Sequence, residues 1–254
     1  MGERSSELGD GRALILPTGA AVFGGGPGIM ALSERRRHVL HLWDRRYRAM
    51  RGRMRPTPFA QRVAEALRGL GRMGDLNALE LGAGCGRDAR LLAPLCSRFM
   101  ALDGSREAVR LCRELPGVMP LRADLAAGLP LADRCVDLVY SHLVLNGPFL
   151  EDEIRRLARE IGRVLRPGGW HWGVVRSTDD PTYHALGQPG AGFVSLGDDA
   201  LHFFSRRSLT RLLAPLVVEI DYAGERLIDG ECYGVLEFRA WMPRDGDTAR
   251  HRAP

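Results

Sequence analysis

Glycines recur at every second position in "ALELGAGCGRD" (78–88), at Gly82, Gly84 and Gly86, just behind Glu80, an acid set between leucines. The run reads as a strand-to-helix turn. Such a turn lets backbone approach a ligand closely and aims helix N-terminal amides at it. The dinucleotide fingerprint G-x-G-x-x-G would need its third glycine at 87, and that residue is Arg87. The spacing is instead E-x-G-x-G-x-G. A pyrophosphate gains nothing from a nearby carboxylate, whereas a ligand carrying an amine and a sulfonium does. Two more acids fall where strands end. Asp103 closes the second strand, where a carboxylate accepts hydrogen bonds from ribose hydroxyls, and Asp124 follows the third in "RADL", placed to meet an adenine amino group. His142, after Ser141 at the end of a fourth strand, and His184, in "RSTDDPTYHALG" (176–187), are the candidate acid–base groups.

The elements that must position these residues alternate between strand and helix. Strands are expected at 76–81, 97–102, 118–122, 135–141 and 170–175, with helices near 87–95, 105–115 and 151–165 between them. That alternation predicts an α/β fold, doubly wound, with a mostly parallel sheet. In such a sheet the carboxyl ends of the strands line the ligand crevice. Upstream, Val39, Trp43, Tyr47, Met50 and Met54 recur at helical spacing, and Pro56 and Pro58 end that helix before a second one at 59–71. Downstream, a polar, glycine-rich stretch (177–200) precedes a helix capped by Ser205. Two last strands, 216–223 and 232–242, form an antiparallel hairpin at a sheet edge.

Composition excludes several classes. The chain has 254 residues, 45% hydrophobic and 26% charged, in the range of an ordinary soluble domain. All 36 basic residues are arginine, which removes Schiff-base chemistry and a phosphate-loop lysine. Five cysteines (85, 96, 112, 135, 232) lack C-x-x-C spacing and histidine partners, so no metal site is expected, and reduced thiols in a cytoplasmic protein are. Residues 1–33 read as a flexible extension: their apolar part is broken by Pro17, Pro27 and five glycines, which argues against a signal peptide, and Met30 is an alternative initiator. No apolar run reaches the roughly 20 residues a membrane span needs. The tail 243–254 is charged and expected to fray.

The motifs "LELGAGCGRDARLLA" (79–93), "ALDGS" (101–105), "LRADL" (121–125), "LPLADRCVDLVYSHLVL" (129–145) and "EIGRVLRPGG" (160–169) together resemble the class I S-adenosylmethionine-dependent methyltransferases, the last marking a subgroup with many substrates. The resemblance implies a Rossmann-like, seven-stranded sheet with an antiparallel last strand, occupying residues 34–242, with 177–204 as a substrate loop. It implies that Glu80 lies near the methionine amine, that Gly82, Gly84 and Gly86 clear space for the methionine part, and that Asp103 binds the ribose. Asp124 and the Leu125 amide would read adenine, Ser141 would approach the methionine group by its backbone, and Trp43 and Tyr47 of "WDRRY" would cover the cofactor.

Methyl transfer from a sulfonium is an in-line displacement that needs positioning and dryness more than a dedicated base. The implied function is methylation of a small-molecule acceptor. RNA methylation is disfavoured, because the nine arginines between 34 and 55 suit a solvated helix face and "SHLVLNGP" replaces the amino-methylating motif of nucleic-acid enzymes. The same cofactor motifs would also serve a protein methyltransferase or a non-catalytic cofactor-binding regulator.

Overall fold

A computed structural model of the chain describes residues 32–50, 54–71, 74–187, 192–196 and 199–243. The expected extension lies almost wholly, and the charged tail except for Pro243 wholly, outside the described residues.

Five strands, β1 (Asn77–Leu81), β2 (Arg98–Asp103), β3 (Val118–Arg122), β4 (Val136–His142) and β5 (Leu165–Arg176), pair in parallel in the order 3-2-1-4-5. The central ones are apolar on both faces, as strands covered on both sides must be. A long hairpin completes the sheet. Its second arm, β9 (Glu231–Trp241), runs antiparallel beside β5, and its first arm, β8 (Val217–Ile228), forms the edge. The seven strands therefore lie in the order 3-2-1-4-5-9-8. This is the seven-stranded, mostly parallel sheet with an antiparallel last strand that the sequence implies.

Helices cover both faces. On one, α5 (Glu151–Val164) buries Ile154, Leu157, Ala158, Ile161 and Val164, one stripe at helical spacing. Its first turn holds Glu151, Asp152 and Glu153 and its last Arg163, matching the helix dipole at both ends. The helix α7 (Arg206–Leu212) packs beside α5, with Ser205 accepting from the Ser208 amide as its cap. The opposite face carries α2 (Pro58–Gly69), α3 (Ala89–Leu92) and α4 (Arg106–Arg113), around a core containing Phe59, Val63, Phe99, Leu138, Tyr140 and Val235. At roughly 1.5–3 kcal/mol per fully buried large side chain, these two cores hold the layers together. The first helix, α1 (Leu32–Met50), ends before Met54, earlier than its hydrophobic period suggests.

The stretch read as a polar loop is built. It contains α6 (Pro181–Leu186) and a separate two-stranded hairpin of β6 (Phe193–Leu196) and β7 (Asp199–His202), with 188–191 and 197–198 outside the described residues. Among the described residues no helix is long and apolar enough to cross a membrane.

Candidate active site

Strand register sets the site. Leu81 pairs with Leu102 on one side and Ser141 on the other, so the next residues along the three chains, Asp103, Gly82 and His142, come level. The row continues across the sheet, because His142 pairs with Val174 and Val174 with Glu237. Cross-strand partners point to one face. A single line of side chains at the carboxyl ends thus runs from Asp103 through the glycine turn to Glu237.

At the turn, Gly82, Gly84 and Gly86 all adopt positive φ, of 63°, 57° and 74°. Each is also crowded: an added Cβ would lie 2.4 Å from Val144 Cγ2, 2.8 Å from Tyr47 Oη and 2.4 Å from Leu115 Cδ1, respectively. Conformation and space both demand glycine here. The cradle is ringed by acid. Glu80, on the same face two residues back, is 4% exposed, and its Oε2 is buried without a hydrogen-bond partner. Burial, then the charges of Asp88 and Asp103, push its carboxyl well above the ordinary range. Asp103 accepts from the Gly84 amide at 2.9 Å and the Ser105 amide at 2.8 Å, and burial raises its pKa against those bonds. A cradle with an unpaired buried carboxylate oxygen fits a ligand that brings a cationic donor.

The first helix crosses this cradle. Asp44 accepts from Ser105 Oγ and from the Glu107 amide at 3.1 Å, which fixes α1 to the start of α4. Tyr47 is thereby held over Gly84 and stacks on Trp43 with ring centroids 5.2 Å apart. Burial, then the Asp103 charge, push the Tyr47 phenol well above its ordinary value, so it stays protonated.

Asp88, at the exit of the turn, is buried and receives three donors: the Thr57 amide at 2.7 Å, Thr57 Oγ1 at 3.0 Å and Tyr140 Oη at 2.7 Å. Thr57 is also the cap of α2, accepting from the Ala60 amide at 3.1 Å. One carboxylate therefore ties α2, the glycine turn and β4 together. Arg87 reaches the other way, to Asp229 at 2.7 Å in the turn between β8 and β9.

Between α2 and that turn lies a groove. It is a recess of only about 10 Å³, lined by Phe59, Arg62 and Arg226 together with His142, Val174 and Glu237, neighbours in the row above. Burial pushes the His142 imidazole down to about 4, so it is neutral at pH 7. Glu237, 5% exposed, receives Arg62 at 2.5 Å and Arg226 at 2.7 Å on the same oxygen.

Other expected residues fall as follows. Ser141 is fully buried, its backbone in the ladder between β1 and β5 and its Oγ 2.9 Å from His171 Nε2. Burial pushes that histidine down to about 3. Asp124 is exposed after β3 and accepts from the Ala126 amide at 3.0 Å, while Leu125 is buried in the core. His184 is exposed on α6 and does not line the groove with His142. Sequence reasoning missed Asp88, Thr57, Tyr140 and the arginine pair on Glu237. Thr57 before Pro58 was a readable helix cap, whereas the arginine pair left no local signal.

Residues 79–172 match the family described as a methyltransferase domain. Over 94 residues the chain is 34% identical to a malonyl-[acyl-carrier protein] O-methyltransferase of Pectobacterium atrosepticum, the match covering 37% of this chain and 36% of that protein. Over 105 residues it is 33% identical to a phthiotriol/phenolphthiotriol dimycocerosates methyltransferase of Mycobacterium tuberculosis, covering 39% and 37%. The chain thus spans about a third of the length of these curated relatives. Among solved structures, a DhpI–SAM–HEP complex aligns over 84% of this chain and 99% of its own at 21% identity and a TM-score of 0.57. A methyltransferase of Methanosarcina mazei aligns over 74% and 99% at 18% identity and a TM-score of 0.58. The chain is thus similar to methyltransferases over residues 79–172 and shares the Rossmann-like fold of the aligned structures.

Proposed function

We propose that this protein transfers a methyl group from S-adenosylmethionine to a small-molecule acceptor, within a methyltransferase domain spanning 34–242. The observation that carries the reading is the buried, unpartnered Oε2 of Glu80 inside a glycine cradle, in line with Asp103. When bound, the cofactor supplies a methyl already activated on sulfur, so the protein's work is positioning and exclusion of water. Glu80 would face the ammonium group. Gly82, Gly84 and Gly86 would clear space for the methionine part, and Ser141 would approach it by backbone. Asp103 would accept from the ribose hydroxyls, Asp124 and the Leu125 amide would read the adenine, and Trp43 and Tyr47 would close over the cradle.

The acceptor side begins at His142, whose neutral imidazole keeps a lone pair free to orient an acceptor or take its proton. His184 and the 177–204 segment flank the acceptor entrance. A small acceptor suits a domain whose relatives are named for acyl and lipid substrates. Five unpaired cysteines suit a reducing cytoplasm.

The test is release of S-adenosylhomocysteine across a panel of acids, phenols, amines and thiols. Turnover with one class is expected. Tight cofactor binding with no release from any class would favour the non-catalytic reading.

A further inference from the structure

Two coverings meet over the carboxyl edge of the sheet, and they are fastened differently. The segment after β5 is locked from within. Arg176, its side chain 11% exposed, donates Nε–H and an Nη2–H to the fully buried Asp180 at 3.0 and 2.6 Å. Asp180 also accepts from the amides of Thr182 at 2.8 Å and Gly234 at 3.1 Å. Buried Asn146 adds a second tie, accepting from the Arg176 amide and donating to the His202 carbonyl. Opening α6 or β7 would strand an enclosed charge or a buried amide, so this covering stays shut.

The first helix is fastened more lightly. Leu40, Asp44 and Tyr47 of α1 share one face, at i, i+4 and i+7. Leu40 Cδ2 stands 2.8 Å from where a Cβ on Gly104 would be, and Tyr47 stands likewise over Gly84. The helix therefore crosses from the end of β2 to the glycine turn, above Asp103. Between these two contacts, Asp44 gathers its bonds on a single atom: Ser105 Oγ and the Glu107 amide both donate to Oδ1. That carboxylate is only half-buried, within reach of competing water.

We infer that α1 is the gate of the cofactor cradle and that Asp44 is its latch, a positioning residue that acts through Tyr47 and sets how often the gate opens. The inference rests on the methyltransferase reading for the identity of the cofactor. The latch joins α1 to α4 and is made whether the cradle is full or empty. A contact made equally in both states cancels from the affinity, yet it resists entry and exit alike. Breaking it should therefore speed binding and release together. A residue that merely supports the fold gives no reason for faster entry. Ser105 keeps its own cap bond from the Ala108 amide at 3.1 Å, and its amide stays on Asp103, so Asp44→Ala leaves Asp103 in place.

The experiment follows S-adenosylhomocysteine binding to the full chain by stopped-flow tryptophan fluorescence, with Trp43, stacked on Tyr47, as a reporter on the gate, and Kd checked by calorimetry. In Asp44→Ala association and dissociation should both rise about tenfold, the effect of two lost hydrogen bonds. Kd should change by less than about threefold. Asp44→Asn should keep rates near those of the wild type, because its Oδ1 still accepts both bonds. Hydrogen exchange of the wild type gives a reading that needs no variant. Amides of ligand-free α1 should exchange before those of Ser177, Thr178 and Phe204, which are bonded around the Arg176 lock, and saturating S-adenosylhomocysteine should slow them. Faster release without faster entry, unchanged rates, an asparagine variant that behaves like alanine, or lock amides exchanging as early as α1 would each overturn the latch. Those outcomes leave cofactor binding itself intact, whereas no binding by the wild type sinks the methyltransferase reading and the latch with it.

Discussion

The two halves of the sheet's carboxyl edge are built by different rules. Around β1, β2 and β3 the cradle is local: Glu80 and the three glycines lie within seven residues, and Asp103 caps the neighbouring strand. Around β4, β5, β9 and β8 the groove is assembled from afar, and the Arg62–Glu237 pair joins residues 175 apart. The first half is fixed by backbone conformation, the second by register and charge. A site that always receives one ligand can be held in a short motif. A site that varies is gathered from side chains on separate elements, where single changes alter its chemistry and leave the sheet intact.

The sharpest way to break the cradle alone is Gly82→Ala. The new Cβ meets Val144 at 2.4 Å on a residue with φ of 63°, so conformational strain adds to overpacking. A loss of about 2–5 kcal/mol in unfolding free energy is expected, measured by urea denaturation. Cofactor binding should be lost in the same variant while the pairing of Arg62 and Arg226 with Glu237 persists.

The joint between the halves is Asp88, and Tyr140→Phe removes one of its donors. Leaving a buried carboxylate short of a hydrogen bond should cost about 1.5–3 kcal/mol, read from the same denaturation curves. Because Asp88 ties α2 and β4 to the exit of the glycine turn, this variant should weaken cofactor binding as well. Unchanged cofactor affinity would show that Asp88 supports the fold alone.

Behind the groove, His171 gives a handle in pH. Its folded pKa of about 3 lies below the unfolded value near 6.5. Between those values the unfolded chain binds a proton that the native one refuses. Its contribution is therefore complete above the unfolded pKa and is lost at up to about 1.4 kcal/mol per pH unit as pH falls from 6.5 toward 3. In His171→Asn the acid limb should flatten by one proton relative to the wild type, whatever the absolute stability. An unchanged slope would mean that His171 is protonated inside the core.

The difference between the halves also explains what the sequence made legible. The sheet, its parallel strands and the edge hairpin follow from apolar runs and their punctuation. Glu80, the glycines and Asp103 stand in the cradle because their spacing alone places them at strand ends. Phe193–His202 hid a hairpin because glycines and acids around its turn read as loop, although "FVSL" and "ALHF" flank "GDD" as two arms would. Arg62, Arg226 and Glu237 were invisible for a stronger reason. Nothing in a linear chain says which arginine faces which strand until β9 inserts antiparallel beside β5.

The central claim is that the acid-ringed cradle binds S-adenosylmethionine, and calorimetric titration of the wild type beside Glu80→Gln and Asp103→Ala tests it most directly. The account predicts a measurable affinity in the wild type, weakened by about 1–3 kcal/mol in Asp103→Ala. In Glu80→Gln it predicts weaker binding, because a neutral amide cannot pair with the ligand's cationic group. No heat from the wild type, or affinity unchanged in both variants, would contradict it.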